Sequence, residues 1–274
     1  MSKPAPLVSV IIPAYKARAT LSAALASIAS SGLPEDQIEV VIAPDDGDSY
    51  EGLPDHGLPL VRCARHHIAT GAGPARNRAI ARAEGRYIAF LDADDTWAPG
   101  YLATLLPLAR RAGAAFGHTC IVAQGERLFH LPDTCRDHLE FEDFGRTGAS
   151  FHPVLRRDLA GPFVDRPSQD VLHAIEVLSC VGGAAPLGPG IYELHLSAQS
   201  ASANADFATR VAKAYSEHII DITDGRTRLN PRDIPSARAV FEAKARQNEA
   251  FLRDGAGRFF YAFQRDRNRA TRRA

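Results

Sequence analysis

Leu7 to Pro13 (LVSVIIP) is β-branched and almost wholly apolar, the pattern of a strand covered on both faces, as in a parallel sheet with helices above and below it. The period then changes. Leu21, Leu25 and Ile28 recur at helical spacing behind Thr20, and Gly32 ends the segment. A second buried run, Ile38 to Ala43 (IEVVIA), leads into Pro44-Asp45-Asp46-Gly47-Asp48 and completes a β-α-β unit. A weaker strand is predicted over Leu58 to Cys63 and a helix from Pro74 to a stop at Gly85. Tyr87 to Leu91 reads as a strand that breaks off in Asp92-Ala93-Asp94-Asp95, followed by a helix over Pro99 to Ala112 and a strand over Ala115 to Val122.

Residues 1 to about 125 thus predict an α/β architecture: an open, mainly parallel sheet flanked by helices. Residues 123 to 165 mix short strands and turns. Ser168 to Cys180 reads as a helix with Leu172, Ile175 and Leu178 inward, and Gly190 to Leu196 as a strand. Two amphipathic helices are expected over Ala203 to about Ile220 and Pro235 to about Arg253, the second with Phe241, Ala245, Asn248 and Leu252 along one stripe. The expected division is a domain over 1–200, with halves meeting near 125, and a helical C-terminal extension over 201–274.

Composition narrows the function classes. The chain of 274 residues is 45% hydrophobic and 23% charged, enough to bury a core without staples. Basic and acidic residues balance at 32 each, so no global charge draws it to nucleic acid. The balance hides a basic tail: the last twenty residues hold six arginines against one aspartate, net +5. Phe259, Phe260, Tyr261 and Phe263 precede Arg265, Arg267, Arg269, Arg272 and Arg273, which suits either peripheral contact with an anionic membrane or aromatics closing a helical core before a solvated end. No apolar run reaches the length of a membrane span, and Leu7 to Ile12 is too short for a signal segment, so a cytoplasmic protein is expected. Cys63, Cys120, Cys135 and Cys180 form no C-x-x-C pair and are expected to be reduced, mostly core thiols.

Ligands of open α/β sheets bind beyond the carboxyl ends of the strands. Three such ends here are polar: Pro13-Ala14-Tyr15, Asp45 to Asp48 and Asp92 to Asp95. Three acids in four residues off a buried strand repel one another unless a cation compensates them, and Mg²⁺ or Mn²⁺ prefers one or two carboxylates plus diphosphate oxygens. The simpler reading of either acidic cluster is a solvated turn capping the next helix.

Three segments, VSVIIPAYKARATLSAALASI, EVVIAPDDGDS and GAGPARNRAIARAEGRYIAFLDADDTWAPGYL, follow in order and spacing the signature of the family 2 glycosyltransferases. The resemblance, firm over residues 7 to about 115, implies a GT-A fold and inverting transfer of a sugar from a nucleotide diphosphate sugar, UDP-sugars favoured, to a carbohydrate or lipid-linked acceptor hydroxyl. It implies nucleotide binding by Pro13, Tyr15, Asp45 or Asp46, Arg76 facing the diphosphate, Asp92 near the ribose or a metal water, and Mn²⁺ or Mg²⁺ on Asp94. A general base is expected from the second half, at Asp170 in Ser168-Gln169-Asp170 where relatives carry E-D, with Asp165 in reserve and His195 near the metal or diphosphate. Acids in a first helical turn also serve the helix dipole alone.

Two other readings stand beside this one. Gly71-Ala72-Gly73 before a helix, with Asp92 about 20 residues on, imitates a dinucleotide fingerprint, but Arg76 occupies the third glycine position. A non-catalytic nucleotide-sugar-binding protein would keep the same fold.

Overall fold

The computed structural model describes residues 5–64, 69–133, 135–149, 151–196, 207–255, 258 and 260–273, and the side chains up to 267. Strands β1 (Val8–Ala14), β2 (Ile38–Pro44), β3 (Leu60–Arg62) and β4 (Tyr87–Phe90) run parallel in the order β3-β2-β1-β4, with α1 (Leu21–Ala29) and α2 (Ala72–Ile80) as crossovers. Alternation of the pleat explains the apolar runs, broken in β1 by Ser9 and in β2 by Glu39, which are buried and hydrogen-bonded to each other. Val8, Val10 and Ile12 of β1 and Val40 and Ile42 of β2 face one layer, with Leu21 and Leu25 of α1. Ile11, Val41 and Ala43 face the other, with Ala75 and Ala79 of α2. Each fully buried Val or Ile contributes about 1.5 to 3 kcal/mol, so a polar residue without a hydrogen-bond partner on either face would be costly.

The second half is less regular than expected. After β5 (Thr96–Trp97) and α3 (Tyr101–Ala112) come β6 (Ala114–Ala123), β7 (Glu126–Leu131), β8 (His138–Glu140), the short α4 (Phe141–Arg146) and β9 (Pro153–Arg156). The strand β9 inserts antiparallel between β4 and β6, so β6 is not a direct parallel neighbour of the first four strands. Its Val154 and Leu155 are fully buried, one in each layer, and four residues are too few to show a period. Next come α5 (Gln169–Cys180) and β10 (Ala184–Leu196), which lies parallel to β6. The sheet is therefore parallel over its first half and mixed beyond.

The helices α6 (Phe207–Thr223) and α7 (Ile234–Asp254) share one core with α4 and α5, built from Val211, Tyr215, Val240, Phe241, Phe144 and Ile175 among others. The expected stripe on α7 is shifted: Leu252 is 53% exposed, while Lys244 joins Phe241 and Asn248 inside. Both polar residues find carbonyls, Lys244 Nζ donating to Thr147 O at 2.9 Å and Asn248 Nδ2 to Ala208 O at 2.7 Å. Helix α8 (Phe260–Arg273) turns Phe260 and Phe263 inward against Phe251. That leaves these two rings unavailable to a membrane; Phe259 and the side chains of Arg269, Arg272 and Arg273 lie outside the described residues. All four cysteines are free, but only Cys63 and Cys120 are buried. Among the described residues no helix is long and apolar enough to cross a membrane.

Candidate active site

Because β1, β2 and β4 are parallel, their carboxyl ends share one edge. Pro44 closes β2 opposite Ala14, and the Asp45 N–H donates back to Ala14 O at 2.8 Å. Asp45 itself is buried and receives four hydrogen bonds: from Thr70 N and Oγ1 at 2.7 and 2.6 Å, Gly71 N at 2.8 Å and Arg78 at 2.9 Å. Burial works to raise its pKa, but these donors prevail and hold it below the ordinary carboxylate value. Asp46 receives three, from the backbone of Lys16, the Tyr50 hydroxyl at 2.7 Å and Asp48 N at 3.0 Å. Pro13 sits half-buried inside β1, and Tyr15 beyond it is 52% exposed.

The acids after β4 occupy three different environments. Asp92 is ion-paired to Arg76, with His152 Nε2 3.7 Å from its other oxygen. Burial presses its carboxyl up, but Arg76 and His152 outweigh this and hold it well below the usual range. Arg76 is 1% exposed, with its guanidinium over the Phe163 ring at 5.3 Å, and it is not among the residues that line the cleft described below. Asp92 is its counter-ion, and its Nε and Nη1 have no partner among the described residues. Asp95 is also buried, accepting from Tyr192 Oη and His195 N, both at 2.8 Å. Burial, then the charges of Asp94 and Asp92, push its pKa well above the ordinary value. Asp94 alone of the three is exposed, and desolvation together with the Asp92 charge raises its carboxyl.

A cleft of about 440 Å³ opens over these groups. It brings together Asp92, Asp94, Asp165, Asp170 and His195, and Gly71 and Gly73 border it. A Cβ on Gly73 would lie 2.3 Å from Val164 O, so glycine there lets α2 approach the segment leading to α5. Pro13, Tyr15, Asp45 and Asp46 are not in its lining; Asp45 adjoins it through its bond to the backbone of Gly71. Asp170 stands in the first turn of α5, behind Ser168 at φ 61°, and its charge acts on Arg76, Tyr215, His218 and Lys244. Thr96 Oγ1 lies 2.8 Å from His195 Nε2, which together with the His195 N–H bond to Asp95 fixes the histidine on β10.

The opposite wall is built by the C-terminal helices, through Phe207, Arg210, Val211 and Tyr215 of α6, Lys244 of α7 and Phe260 and Tyr261 of α8. Sequence reasoning assigned none of these to the site. One signal was present: a lysine three residues after Phe241 and four before Asn248, on an otherwise buried stripe.

The donor set fits a hard divalent cation. Among the described residues no three His, Cys, Asp or Glu side chains converge to enclose an ion. Asp94, exposed beside a second carboxylate, instead offers the one or two protein oxygens that Mg²⁺ or Mn²⁺ takes alongside nucleotide phosphates.

Comparison with known proteins bears on the family and the fold. The family model for glycosyl transferase family 2 matches residues 9–154. TuaG of Bacillus subtilis (strain 168) is 33% identical over 143 residues, 47% of this chain and 54% of TuaG. The Escherichia coli UDP-Glc:alpha-D-GlcNAc-diphosphoundecaprenol beta-1,3-glucosyltransferase WfaP is 38% identical over 93 residues, 33% of this chain and 36% of WfaP. The matches thus span between about a third and about half of these curated relatives' length. In fold, the chain resembles S. aureus TarS 1–349 in complex with UDP, with a TM-score of 0.59 at 19% identity over 89% of this chain and 72% of that one. It also resembles the mannosyltransferase PcManGT from Pyrobaculum calidifontis in complex with GDP-Man and Mn²⁺, with a TM-score of 0.57 at 17% identity over 98% and 81%.

Proposed function

This chain belongs to glycosyl transferase family 2, and we propose that it moves a sugar from a nucleotide diphosphate sugar to an acceptor hydroxyl with inversion, in polysaccharide or glycoconjugate synthesis. The observation that carries this is the single cleft holding Asp94 on one side and Asp170 on another, with Asp92 fixed between sheet and helix by Arg76. Asp94 would hold the divalent cation. A bound Mn²⁺ or Mg²⁺ supplies charge stabilisation to the departing nucleotide diphosphate. Asp92, kept ionised by Arg76, suits the ribose hydroxyls or a metal-bound water. Asp170 is the general base, because an acceptor hydroxyl needs a positioned carboxylate to lose its proton.

For the nucleobase the hydrogen-bond count favours Asp46 over Asp45. A carboxylate accepts about four bonds; Asp45 already receives four and Asp46 three. Asp46 thus retains capacity for an imide N–H such as that of uracil, beside the exposed Tyr15 ring, which supports a UDP-sugar donor. Arg265 and Arg267 at the start of the basic run of α8 leave peripheral membrane contact as an electrostatic matter only. The test is release of nucleoside diphosphate from UDP-, GDP- and dTDP-sugars by the full chain with Mn²⁺ and a mixture of sugar acceptors. Turnover of one UDP-sugar, lost in Asp46→Ala, supports the assignment. Equal turnover by Asp46→Ala, or preference for a GDP-sugar, contradicts it. A fold-competent chain that binds UDP yet turns over no donor favours the non-catalytic reading.

A further inference from the structure

We infer that Lys244 and Arg210 form an oxyanion subsite on the wall of the cleft facing Asp170, taking a phosphate or carboxylate group carried by the acceptor. The inference rests on the reading of this cleft as the place where donor and acceptor meet. Lys244 is 2% exposed and borders the cleft, yet of its three ammonium donors one is filled, by Thr147 O. No carboxylate lies within ion-pair distance of it among the described residues; Asp170 acts on it only at longer range. A buried ammonium without a counter-ion is unfavourable, and an arriving oxyanion removes that penalty. Arg210, one helix away, is exposed on the same wall and has no ion pair among the described residues. Arg166 shows the contrast: it borders the same cleft but is neutralised by Glu217 and Asp221.

The distribution of charge across the cleft gives the side. The acids Asp92, Asp94 and Asp95 end β4, where the donor diphosphate and its cation belong. The uncompensated cations lie on α6 and α7, and the carboxylate whose field reaches Lys244 is that of Asp170. Phe207, Val211 and Phe260 surround this wall with apolar surface, which strengthens a charge-assisted hydrogen bond made there.

Calorimetric titration of the full chain, saturated with UDP and Mg²⁺, tests the assignment with glucose 1-phosphate, glucuronate and uncharged glucose. The wild type is expected to bind one or both anions more tightly than glucose, and Arg210→Gln and Lys244→Met to weaken that binding at least about tenfold, the scale of one charged hydrogen bond. The affinity for UDP should be unchanged in both variants. Preference for the phosphate ester or for the carboxylate identifies which group the acceptor carries. Lys244→Met should also keep or raise the thermal midpoint, because an uncompensated buried charge is removed. Equal affinity for all three ligands, anion binding untouched in Arg210→Gln, or a parallel loss of UDP affinity overturns the subsite, the last by moving the cations to the donor. A markedly lowered midpoint in Lys244→Met makes that residue a structural tie and overturns its part. Should UDP fail to bind, the donor reading falls, and the same titrations without UDP still decide the cation pair.

Discussion

Asp92 and Asp94 stand two residues apart, yet their substitution should have unequal consequences for stability. Asp92 is the counter-ion of Arg76, whose guanidinium is 1% exposed. Asp92→Asn preserves shape but strands that guanidinium; breaking a fully buried pair costs about 3 to 5 kcal/mol, and with the Asp92 side chain 33% exposed the lower end, about 3 kcal/mol, is expected. For a chain of this size about 2 °C accompanies each kcal/mol, so the midpoint should fall by roughly 6 °C. Asp94→Asn touches a surface carboxylate whose pKa is raised by desolvation and by the Asp92 charge, and it should stay within about 0.5 kcal/mol of wild type. The double variant Arg76→Met/Asp92→Asn should recover most of the loss, because both charges are then gone. Thermal and urea unfolding of the full chain at pH 7 measures all three. The sign with pH follows: Asp92 has a depressed pKa in the fold, so its contribution is present above the ordinary carboxylate range and is lost as pH falls below about 4. Equal midpoints for Asp92→Asn and Asp94→Asn, or no recovery in the double variant, would refute the assignment of Arg76 as a buried anchor.

Three further outcomes are expected. Asp170→Asn should lower kcat at least about 100-fold with donor KM nearly unchanged, as for a lost general base; undiminished turnover moves the role to Asp165. Burial lowers the Lys244 pKa to about 8, against an unfolded value near 10.5, so the unfolded chain holds more protons between these values and stability should rise with pH across that window. Denaturation series from pH 7.5 to 10.5 should show a flatter slope in Lys244→Met, and identical slopes count against an uncompensated ammonium. Sedimentation with anionic liposomes at low salt should retain more full-length chain than a form ending at Gln264, with the difference abolished at high salt; equal recovery in the supernatant leaves α8 a structural helix only.

The first half of the molecule was legible because its strands are buried on both faces. Runs such as Leu7 to Pro13 and Ile38 to Ala43 admit one interpretation, and the polar residues that end them mark the sheet edge where the cleft opens. Asp92, Asp94 and Asp170, each at the end of an element, line one cleft. Less legible were features set by tertiary contact. The four-residue β9 has no period to read, and its insertion between β4 and β6 depends on partners about 40 and 70 residues away. Nothing local says that Arg76 is buried against Phe163 with Asp92 as its counter-ion. The contribution of α6 to α8 was missed for the same reason: Lys244, Arg210 and Tyr261 reach the cleft through the packing of α7 on α4 and of α6 and α8 on α7.

The most direct test of the account is calorimetric titration of UDP into wild type and Asp94→Ala, each with and without Mn²⁺. Wild type should bind UDP with Mn²⁺ at least tenfold more tightly than without it, and Asp94→Ala should bind weakly and identically in both conditions while melting like wild type. Metal-independent binding by wild type, or a Mn²⁺ enhancement that survives in Asp94→Ala, would contradict the claim that this aspartate holds the cation that joins nucleotide to protein.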